Sequence, residues 1–148
     1  MIKTFRGLLA DGDMETIRLG TPKGLIGYRI IKFEAMPTNP SGDNLEVTLQ
    51  LWKTKGSTSG ATATAIDFNN QNMLAALYIE DYSATEHVFN KDTVIFDNEI
   101  FNQDIYITST ASSEASSSGM NYYIELEQVK LDTHEAAVAT LKDMRGRE

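Results

Sequence analysis

The side chains best suited to chemistry lie in one stretch, IFDNEIFNQDIYIT, which runs from Ile95 to Thr108. Four of them carry carboxylate or amide oxygens: Asp97, Asn98, Glu99 and Asp104. Such oxygens bind metals, act as acids or bases, or cap the backbone of a turn. A calcium loop turns tightly at a glycine, whereas this stretch has no glycine and is interrupted by Ile100 and Phe101. We therefore expect a stiff turn between two strands, with the polar pair at 97–98 capping backbone groups and the apolar pair at 100–101 packed in the core.

A second series of carboxylates occurs in ADGDMET, where Asp11, Asp13 and Glu15 stand at every second position. This spacing matches the opening of an EF-hand calcium loop. The sixth position of such a loop is glycine and the twelfth is glutamate, but Thr16 and Pro22 occupy these positions here. The pattern is typical of a surface hairpin turn, and we predict no metal site in the sequence.

Residues that catalyse by proton transfer or nucleophilic attack follow no recognisable pattern. The two histidines, His87 and His134, are far apart in sequence and lie in polar stretches, so we expect both at the surface. A catalytic histidine needs a positioned partner, and neither has one nearby in sequence. The serines from Ser112 to Ser118 form a biased run rather than a nucleophile elbow, and no glycine-rich phosphate loop occurs. The sequence predicts no enzyme, no catalytic residue and no cofactor.

Composition narrows the class of protein further. The chain has 148 residues, 41% of them hydrophobic, and no cysteine, which excludes disulfides and thiolate metal sites. A formal charge of −8 disfavours direct binding to nucleic acid, whose affinity comes from neutralising phosphates. No apolar run approaches the ~20 residues of a membrane span, and the N-terminus lacks the apolar region of a secretory signal. We expect a single domain over residues 1–148 that is synthesised in a cytoplasm and binds no membrane.

Apolar residues recur at every second position through most of the chain, which predicts β-strands. In LEVTLQLW, the odd-numbered residues from Leu45 to Leu51 share one face, and Trp52 lies on the face expected to meet solvent. METIRLG places Ile17 and Leu19 together. TVIF and QDIYIT read as two further strands. GYRIIKFEAMP alternates through Ile31, Phe33 and Ala35.

The segment NYYIELEQVKL changes the phase of its alternation between Leu126 and Val129, which predicts a β-bulge at Glu127-Gln128. Residues from Met73 to Ile79 fit a short helix or a buried strand, and their length does not decide between the two.

One helix is predicted, at about residues 133–145. Asp132 or Thr133 can cap its start, Glu135 lies in its first turn, and Gly146 follows its end. A serine-rich segment at about 109–121 reads as a long loop, because it has too little apolar area to form core. Many short strands followed by one helix predict a mainly β fold, an antiparallel β-sandwich or jelly-roll-like arrangement with one C-terminal α-helix.

Aromatic residues outside the predicted core are candidates for an interface between proteins, where tyrosine and tryptophan supply large, partly polar contact areas. Trp52 is chosen because it stands on the nominally solvent-facing side of its strand. The predicted interface residues are Phe5, Trp52, Tyr78, Tyr82, Tyr122 and Tyr123.

Four segments, MIKTFRGLLADGDMETIRL, GYRIIKFEAMP, IFDNEIFNQDIYIT and NYYIELEQVKL with the terminal ATLKDMRGRE, resemble small virion-associated proteins of marine tailed bacteriophages. The resemblance spans nearly the whole chain. It implies a structural protein of the virion, and a capsid decoration (cement) protein fits the composition. Such a protein would bind the outer surface of the major capsid protein lattice and stabilise it. Copies of the chain would assemble, as trimers for example, and the segment from Met1 to Leu9 or the serine-rich arm would reach a neighbouring subunit.

Two other functions are open at this point. A head–tail connector or tail component would form a ring in which the C-terminal helix, with Lys142, Arg145 and Arg147, lines a channel or contacts a neighbour. A carbohydrate-binding adhesion module would use the tyrosines to stack on sugars.

Overall fold

The structure is a computed structural model that describes residues 1–38, 45–54, 66–82, 88–96, 99–111 and 119–145. Within these ranges the chain forms eight strands and one helix: β1 (Ile2–Leu9), β2 (Met14–Ile17), β3 (Ile26–Pro37), β4 (Leu45–Trp52), β5 (Met73–Tyr82), β6 (Val88–Ile95), β7 (Ile105–Ala111), β8 (Met120–Lys130) and α1 (Thr133–Arg145). Of the predicted serine-rich loop, residues 109–111 belong to β7 and residues 120–121 belong to β8. Residues 112–118, and with them most of that prediction, lie outside the described ranges.

The strands form two antiparallel sheets. The three-stranded sheet has the order β1-β8-β3, and the five-stranded sheet has the order β2-β7-β4-β5-β6. Together with the C-terminal helix, these sheets confirm the predicted mainly β class. The inner faces of both sheets contribute to one hydrophobic core, for example through Phe33 and Ile124 on one side and Leu49, Leu77 and Ile107 on the other. This shared core is the sandwich-like feature of the fold.

Period-two alternation correctly identifies the inner faces of several strands. Val47, Leu49 and Leu51 are buried in the core, as are Ile17 and Leu19. Residues Met73 to Ile79 are part of strand β5, not a helix. Their continuous apolar character matches burial on both faces of β5: Leu74, Ala75, Leu77 and Ile79 lie in the main core, whereas Met73 and Ala76 pack with Trp52 in a second cluster. The register against β4 also shifts here, since Leu51 pairs with Ala75 and Trp52 pairs with Met73.

A β-bulge in β3 overturns the predicted alternation of that strand. Ile30 pairs with Leu126 and Lys32 pairs with Glu125, so Ile31 is an extra residue without a partner on β8. Its side chain is exposed, whereas those of Phe33 and Ala35, which were expected to share its face, are buried. The prediction for Ile31 is wrong because one inserted residue exchanges the two faces of a strand.

The bulge that was predicted in β8 is not present at Glu127-Gln128. These residues pair in unbroken register with Arg29 and Tyr28 of β3. The change of phase has a different cause, because Val129 packs beside α1 in a second, smaller apolar cluster formed by Leu131, Ala136 and Ala139 with Leu25. The strand therefore changes what it packs against, not its register.

Helix α1 begins where the sequence predicts. The Glu135 amide donates a hydrogen bond of 2.7 Å to Asp132 Oδ1, which makes Asp132 the cap and lowers its pKa. The buried positions of the helix are Ala136, Ala139 and Asp143. Two alanines allow the helix axis to approach the sheets closely, and the third buried position carries a carboxylate. Gly146, the predicted end, lies outside the described residues.

Candidate interface on the three-stranded sheet

The three-stranded sheet has one face against the core and one face toward solvent, which we call the outer face. Side chains on it come from all three strands: Arg6, Leu8, Lys32, Glu34, Met36, Asn121 and Tyr123. They form cross-strand rows, because Leu8 and Met36 both pair with Asn121, and Arg6 and Glu34 both pair with Tyr123. Together they line an open cavity with a volume of about 800 Å³.

Two large apolar side chains dominate one end of the outer face. Leu8 is 58% exposed and Met36 is 69% exposed, on either side of Asn121. Scattered apolar residues on a surface are ordinary, but two of them side by side next to a concavity make this end of the sheet the candidate for an interface. The smaller neighbour between them lets both side chains contact the same incoming group.

The middle of the outer face is polar and carries charges of both signs. The Tyr123 hydroxyl donates a 2.7 Å hydrogen bond to Glu125, and this bond, followed by desolvation, raises the tyrosine pKa. The Lys32 ammonium lies 6.0 Å from the centre of the Tyr123 ring, at the outer limit of a cation–π contact. An ion pair joins Glu34 to Lys91 of β6. These contacts position the side chains that surround the apolar row.

Strand β1 forms one edge of this sheet. Its register with β8 is unbroken from Ile2 to Leu9. The Gln128 amide donates a hydrogen bond of 2.8 Å to the Met1 carbonyl, which makes Met1 and Gln128 a hydrogen-bonded pair of the ladder. Because such pairs alternate along an antiparallel ladder, the odd-numbered residues of β1 bond to β8. The N–H and C=O groups of Ile2, Thr4, Arg6 and Leu8 therefore point away from the sheet.

Strand β3 forms the other edge, and neighbouring residues close it. Tyr28 and Phe101 exchange two backbone hydrogen bonds, of 2.8 and 3.0 Å, outside the ladder with β8. Pro37 ends the strand and has no N–H to donate. The bulge at Ile31 and the ion pair from Lys91 to Glu34 lie between these two points. All four features hinder a further strand from pairing with β3.

The six predicted interface residues do not form one patch. Tyr123 lies on the outer face, and Phe5 is half-buried against the core on the opposite side of the same sheet. Tyr78, on β5 of the other sheet, is partly buried, and its hydroxyl donates a 2.7 Å bond to Glu80 that raises its pKa to about 12. The side chain of Tyr82 lies outside the described part of the chain.

Two of the six residues are buried within this chain, which corrects the surface role expected of them. Trp52 is 4% exposed, and its indole N–H donates a 3.0 Å hydrogen bond to Thr108. Its strand is the middle one of the five-stranded sheet, and both faces of that strand are buried, including Thr48 and Gln50. The inference that a residue opposite the core meets solvent fails for a strand covered on both faces.

Tyr122 is the second buried residue. Its ring passes beneath β1 at Gly7, where an added Cβ would stand 2.7 Å from the ring. Its hydroxyl donates a 2.8 Å hydrogen bond to Glu15 of β2, so the side chain connects the two sheets. Burial, and then the hydrogen bond to Glu15, raises the tyrosine pKa. Glycine at position 7 is thus required by the path of this ring.

The acidic stretch that attracts attention in the sequence has a structural role at its described positions. Asp104 accepts hydrogen bonds from the amides of Leu19 and Gly20, at 2.7 and 2.8 Å. Glu99 forms an ion pair of 3.2 Å with Lys53. Phe101 is in the core as predicted, but Ile100 is partly exposed, so that prediction holds for only one of the pair. Asp97 and Asn98 lie outside the described residues.

A buried polar cluster that the sequence reading missed joins this stretch to the helix. Three groups accept from the side-chain amide of Asn102: the Gly24 carbonyl at 3.0 Å, the Ala136 carbonyl at 3.2 Å and the Thr140 hydroxyl at 2.8 Å. The Asn102 backbone donates to Asp143 at 3.1 Å, and burial raises the pKa of that carboxyl. One signal was available, because Asp143 falls on the same helical stripe as Ala136 and Ala139.

The ADGDMET segment forms the expected surface turn. The Asp13 amide donates to the Ala10 carbonyl at 3.1 Å, Gly12 has a φ of 79°, and Asp11 accepts from the Ala111 amide at 2.8 Å. It is not a hairpin, however, because β1 and β2 belong to different sheets.

Among the residues that the structure describes, no group of three or more His, Asp or Glu side chains is placed so that it could hold a metal ion. His134 is exposed, and His87 lies outside the described ranges. Over the same ranges, no helix is long and apolar enough to cross a membrane. Comparison with family models finds no match, and comparison with curated proteins finds no similar sequence.

Proposed function

We propose that this chain is a structural protein of a bacteriophage virion, a decoration protein whose outer face binds the exterior of the major capsid protein lattice. The observation that carries the proposal is the row of Leu8, Asn121 and Met36, in which two well-exposed apolar side chains flank a small polar one. The virion context comes from the resemblance of the sequence to phage proteins.

Energetics support a binding role for this row. Full burial of a leucine or methionine side chain contributes roughly 1.5–3 kcal/mol. Because interfaces draw most of their binding energy from a few residues, a partner that covers Leu8 and Met36 would gain an anchor of this kind. The polar groups around the row, among them Arg6 and Glu34, provide charges of both signs for orientation. The outer face thus combines an apolar end with polar and charged side chains beside it, and interfaces use both kinds of surface.

Fractionation of purified virions tests where the protein is located. Capsids and tails are separated, and the copies of this chain in each fraction are counted by quantitative mass spectrometry. A copy number in proportion to the major capsid protein supports decoration. A number in proportion to the portal or tail proteins overturns it in favour of a connector, and absence from the particle overturns any virion role.

A substitution then tests the outer face itself. Met36→Asp is expected to weaken rebinding to capsids that lack the protein by roughly tenfold or more, because it removes an apolar anchor and adds a charge. Leu141→Asp is a matched control, since Leu141 is 58% exposed but lies on α1. Equal binding by both variants would assign the contact to another surface.

A carbohydrate site is a second candidate, because the half-buried Tyr123 ring lines the same concavity as Asn121 and Arg6. Sugars stack on such rings and bond to neighbouring polar groups. A glycan array probed with the wild-type chain and with Tyr123→Ala distinguishes the two functions. The fluorescence of Trp52 is a poor reporter for this purpose, because the indole is buried in the other sheet.

A further inference from the structure

We infer that two copies of this chain associate through the edge of β1 with which no described strand pairs, in an antiparallel pair centred on Phe5 that joins their three-stranded sheets into one. This inference is tested in solution without the capsid lattice; Leu8 is common to both surfaces, whereas Met36 lies on β3, away from the β1 edge. Hydrogen bonding, side-chain pairing and the closed symmetry of a two-fold pair all favour a second copy as the partner of this edge.

Hydrogen bonding restricts the register of such a pair. Only Ile2, Thr4, Arg6 and Leu8 direct their N–H and C=O groups outward. A hydrogen-bonded pair must therefore join even-numbered residues of both copies. The register centred on Phe5 pairs Ile2 with the second copy's Leu8, and Thr4 with its Arg6, so all four outward residues of each copy are bonded. Registers shifted by two residues leave some of them unpaired.

Side chains favour the same register. Ile2 and Leu8 are 57% and 58% exposed, and on the outer face they become direct neighbours across the new pair. On the inner side, Lys3 stands opposite the second copy's Gly7, which has no side chain to clash. Like charges are kept apart, whereas a shift in one direction places Arg6 opposite Arg6, a destabilising arrangement. The pair buries two Ile2–Leu8 contacts and gives hydrogen-bond partners to the outward backbone groups of β1. Both contributions stabilise the dimer relative to an unpaired edge.

Charge on an edge strand ordinarily discourages pairing, and Lys3 and Arg6 are such charges. In the Phe5 register each of them faces an uncharged residue. The Lys3 ammonium already lies 5.8 Å from the centre of the Tyr28 ring, directed along its own sheet rather than across the edge. The two basic side chains therefore select this register against others instead of preventing association.

Association through β1 also ends at two copies. Continued addition would need the β3 edge, but Phe101 already occupies the backbone of Tyr28, and Pro37 offers no N–H. A two-fold pair uses the same surface of both subunits and closes on itself. The combination of one open and one closed edge thus specifies a dimer rather than a fibre.

The first test compares the mass of the full chain in solution with that of variants at position 4. Wild type is expected to approach twice 16.4 kDa by light scattering as its concentration rises. Thr4→Pro removes one outward N–H without touching the ladder to β8, so it should weaken association about tenfold or more while the circular dichroism spectrum is kept. Thr4→Val retains the N–H and should still dimerise. A wild type that stays monomeric at high concentration overturns the inference.

A cross-linking test is independent of the stability of any proline variant. The chain has no cysteine, so Ile2→Cys and Leu8→Cys each introduce a unique thiol. Opposed residues of a hydrogen-bonded pair have Cα atoms about 5.5 Å apart, within disulfide range. A mixture of the two variants should form a mixed disulfide under mild oxidation. Leu8→Cys alone should not, because the two Leu8 positions are roughly 20 Å apart in this register. Equally fast cross-linking of Leu8→Cys alone overturns the register.

Discussion

The two edge strands of the three-stranded sheet face different surroundings. Strand β1 has an unbroken register and directs the backbone groups of four residues away from β8, where no described strand pairs with them. Strand β3 is longer, yet it is interrupted by the bulge at Ile31, bridged by Phe101 and ended by Pro37. An edge is therefore protected both by irregularities in its own strand, such as the bulge and Pro37, and by what the rest of the chain places beside it, such as Phe101.

Phe101→Ala should have the largest effect on this comparison, because it removes the side chain that anchors the bridge to β3. Phe101 is buried in the core, and we expect a loss of about 3–5 kcal/mol in the free energy of unfolding, measured by urea denaturation. Ile100→Ala is the control, since Ile100 is partly exposed and should cost clearly less. Equal losses would mean that the segment is not anchored through Phe101.

Asn102→Ala should have the next largest effect, because the bridging segment is held to α1 through this amide. Removal of the side chain leaves the carbonyls of Gly24 and Ala136 without this donor. A cost of about 1–3 kcal/mol is expected in the same denaturation measurement. Gln103→Ala is a neighbouring control: the described hydrogen bond of its side chain, to Asn102 at 3.4 Å, is long, and the substitution should change stability by about 0.5 kcal/mol or less.

Deletion of Ile31 tests how much the bulge contributes to closing the β3 edge. The pairs Ile30–Leu126 and Lys32–Glu125 become consecutive, so both faces of β3 are retained. We expect the fold to be kept and the free energy of unfolding to change by about 1 kcal/mol. The mass of the variant in solution is then compared with that of wild type. A chain that no longer folds after the deletion would show that the bulge is needed for the curvature of the sheet.

Asp143→Asn has the smallest effect, and its sign depends on pH. Burial raises the folded-state pKa of Asp143 above its ordinary 3.8. Its contribution to stability is therefore fully present below pH 3.8 and is lost as the pH rises through the folded pKa. Relative to wild type, the variant should become more stable across that interval, as measured by denaturation between pH 3 and pH 7.

Asp132→Asn provides a control of opposite sign for this pH dependence. The Glu135 amide lowers the pKa of Asp132, so the stability that this residue contributes is present above pH 3.8 and is lost as the pH falls. The two variants should diverge from wild type in opposite directions. A difference that does not change with pH in Asp143→Asn would contradict the assigned cause.

Much of the fold follows from local patterns. The alternation in LEVTLQLW identifies the core face of β4, and the cap at Asp132 together with the alanines at 136 and 139 identifies α1. These features depend on residues within a few positions of one another, where spacing translates directly into geometry.

The failures share a physical cause, which is that they depend on distant parts of the chain. Trp52 is buried because its strand is central in a sheet covered on both faces, and no local pattern records strand order. The exposure of Ile31 depends on a bulge against β8. Asn102 bonds to groups 34 and 78 positions away, so nothing near it in sequence indicates the cluster.

The passage of the Tyr122 ring beneath Gly7 has a mechanical consequence. Ile2 pairs with Glu127, so the start of β1 and the end of β8 lie side by side. Tension between these points therefore peels β1 away one pair at a time instead of shearing the whole strand at once, and the first few pairs resist weakly. At Gly7 the peeling front reaches the ring of Tyr122, whose hydroxyl is bonded to Glu15 of the other sheet, and after Leu9 the chain continues into β2 of that sheet. We therefore expect β1 to yield readily at its start and to resist once the pull reaches the end that is tied to the second sheet.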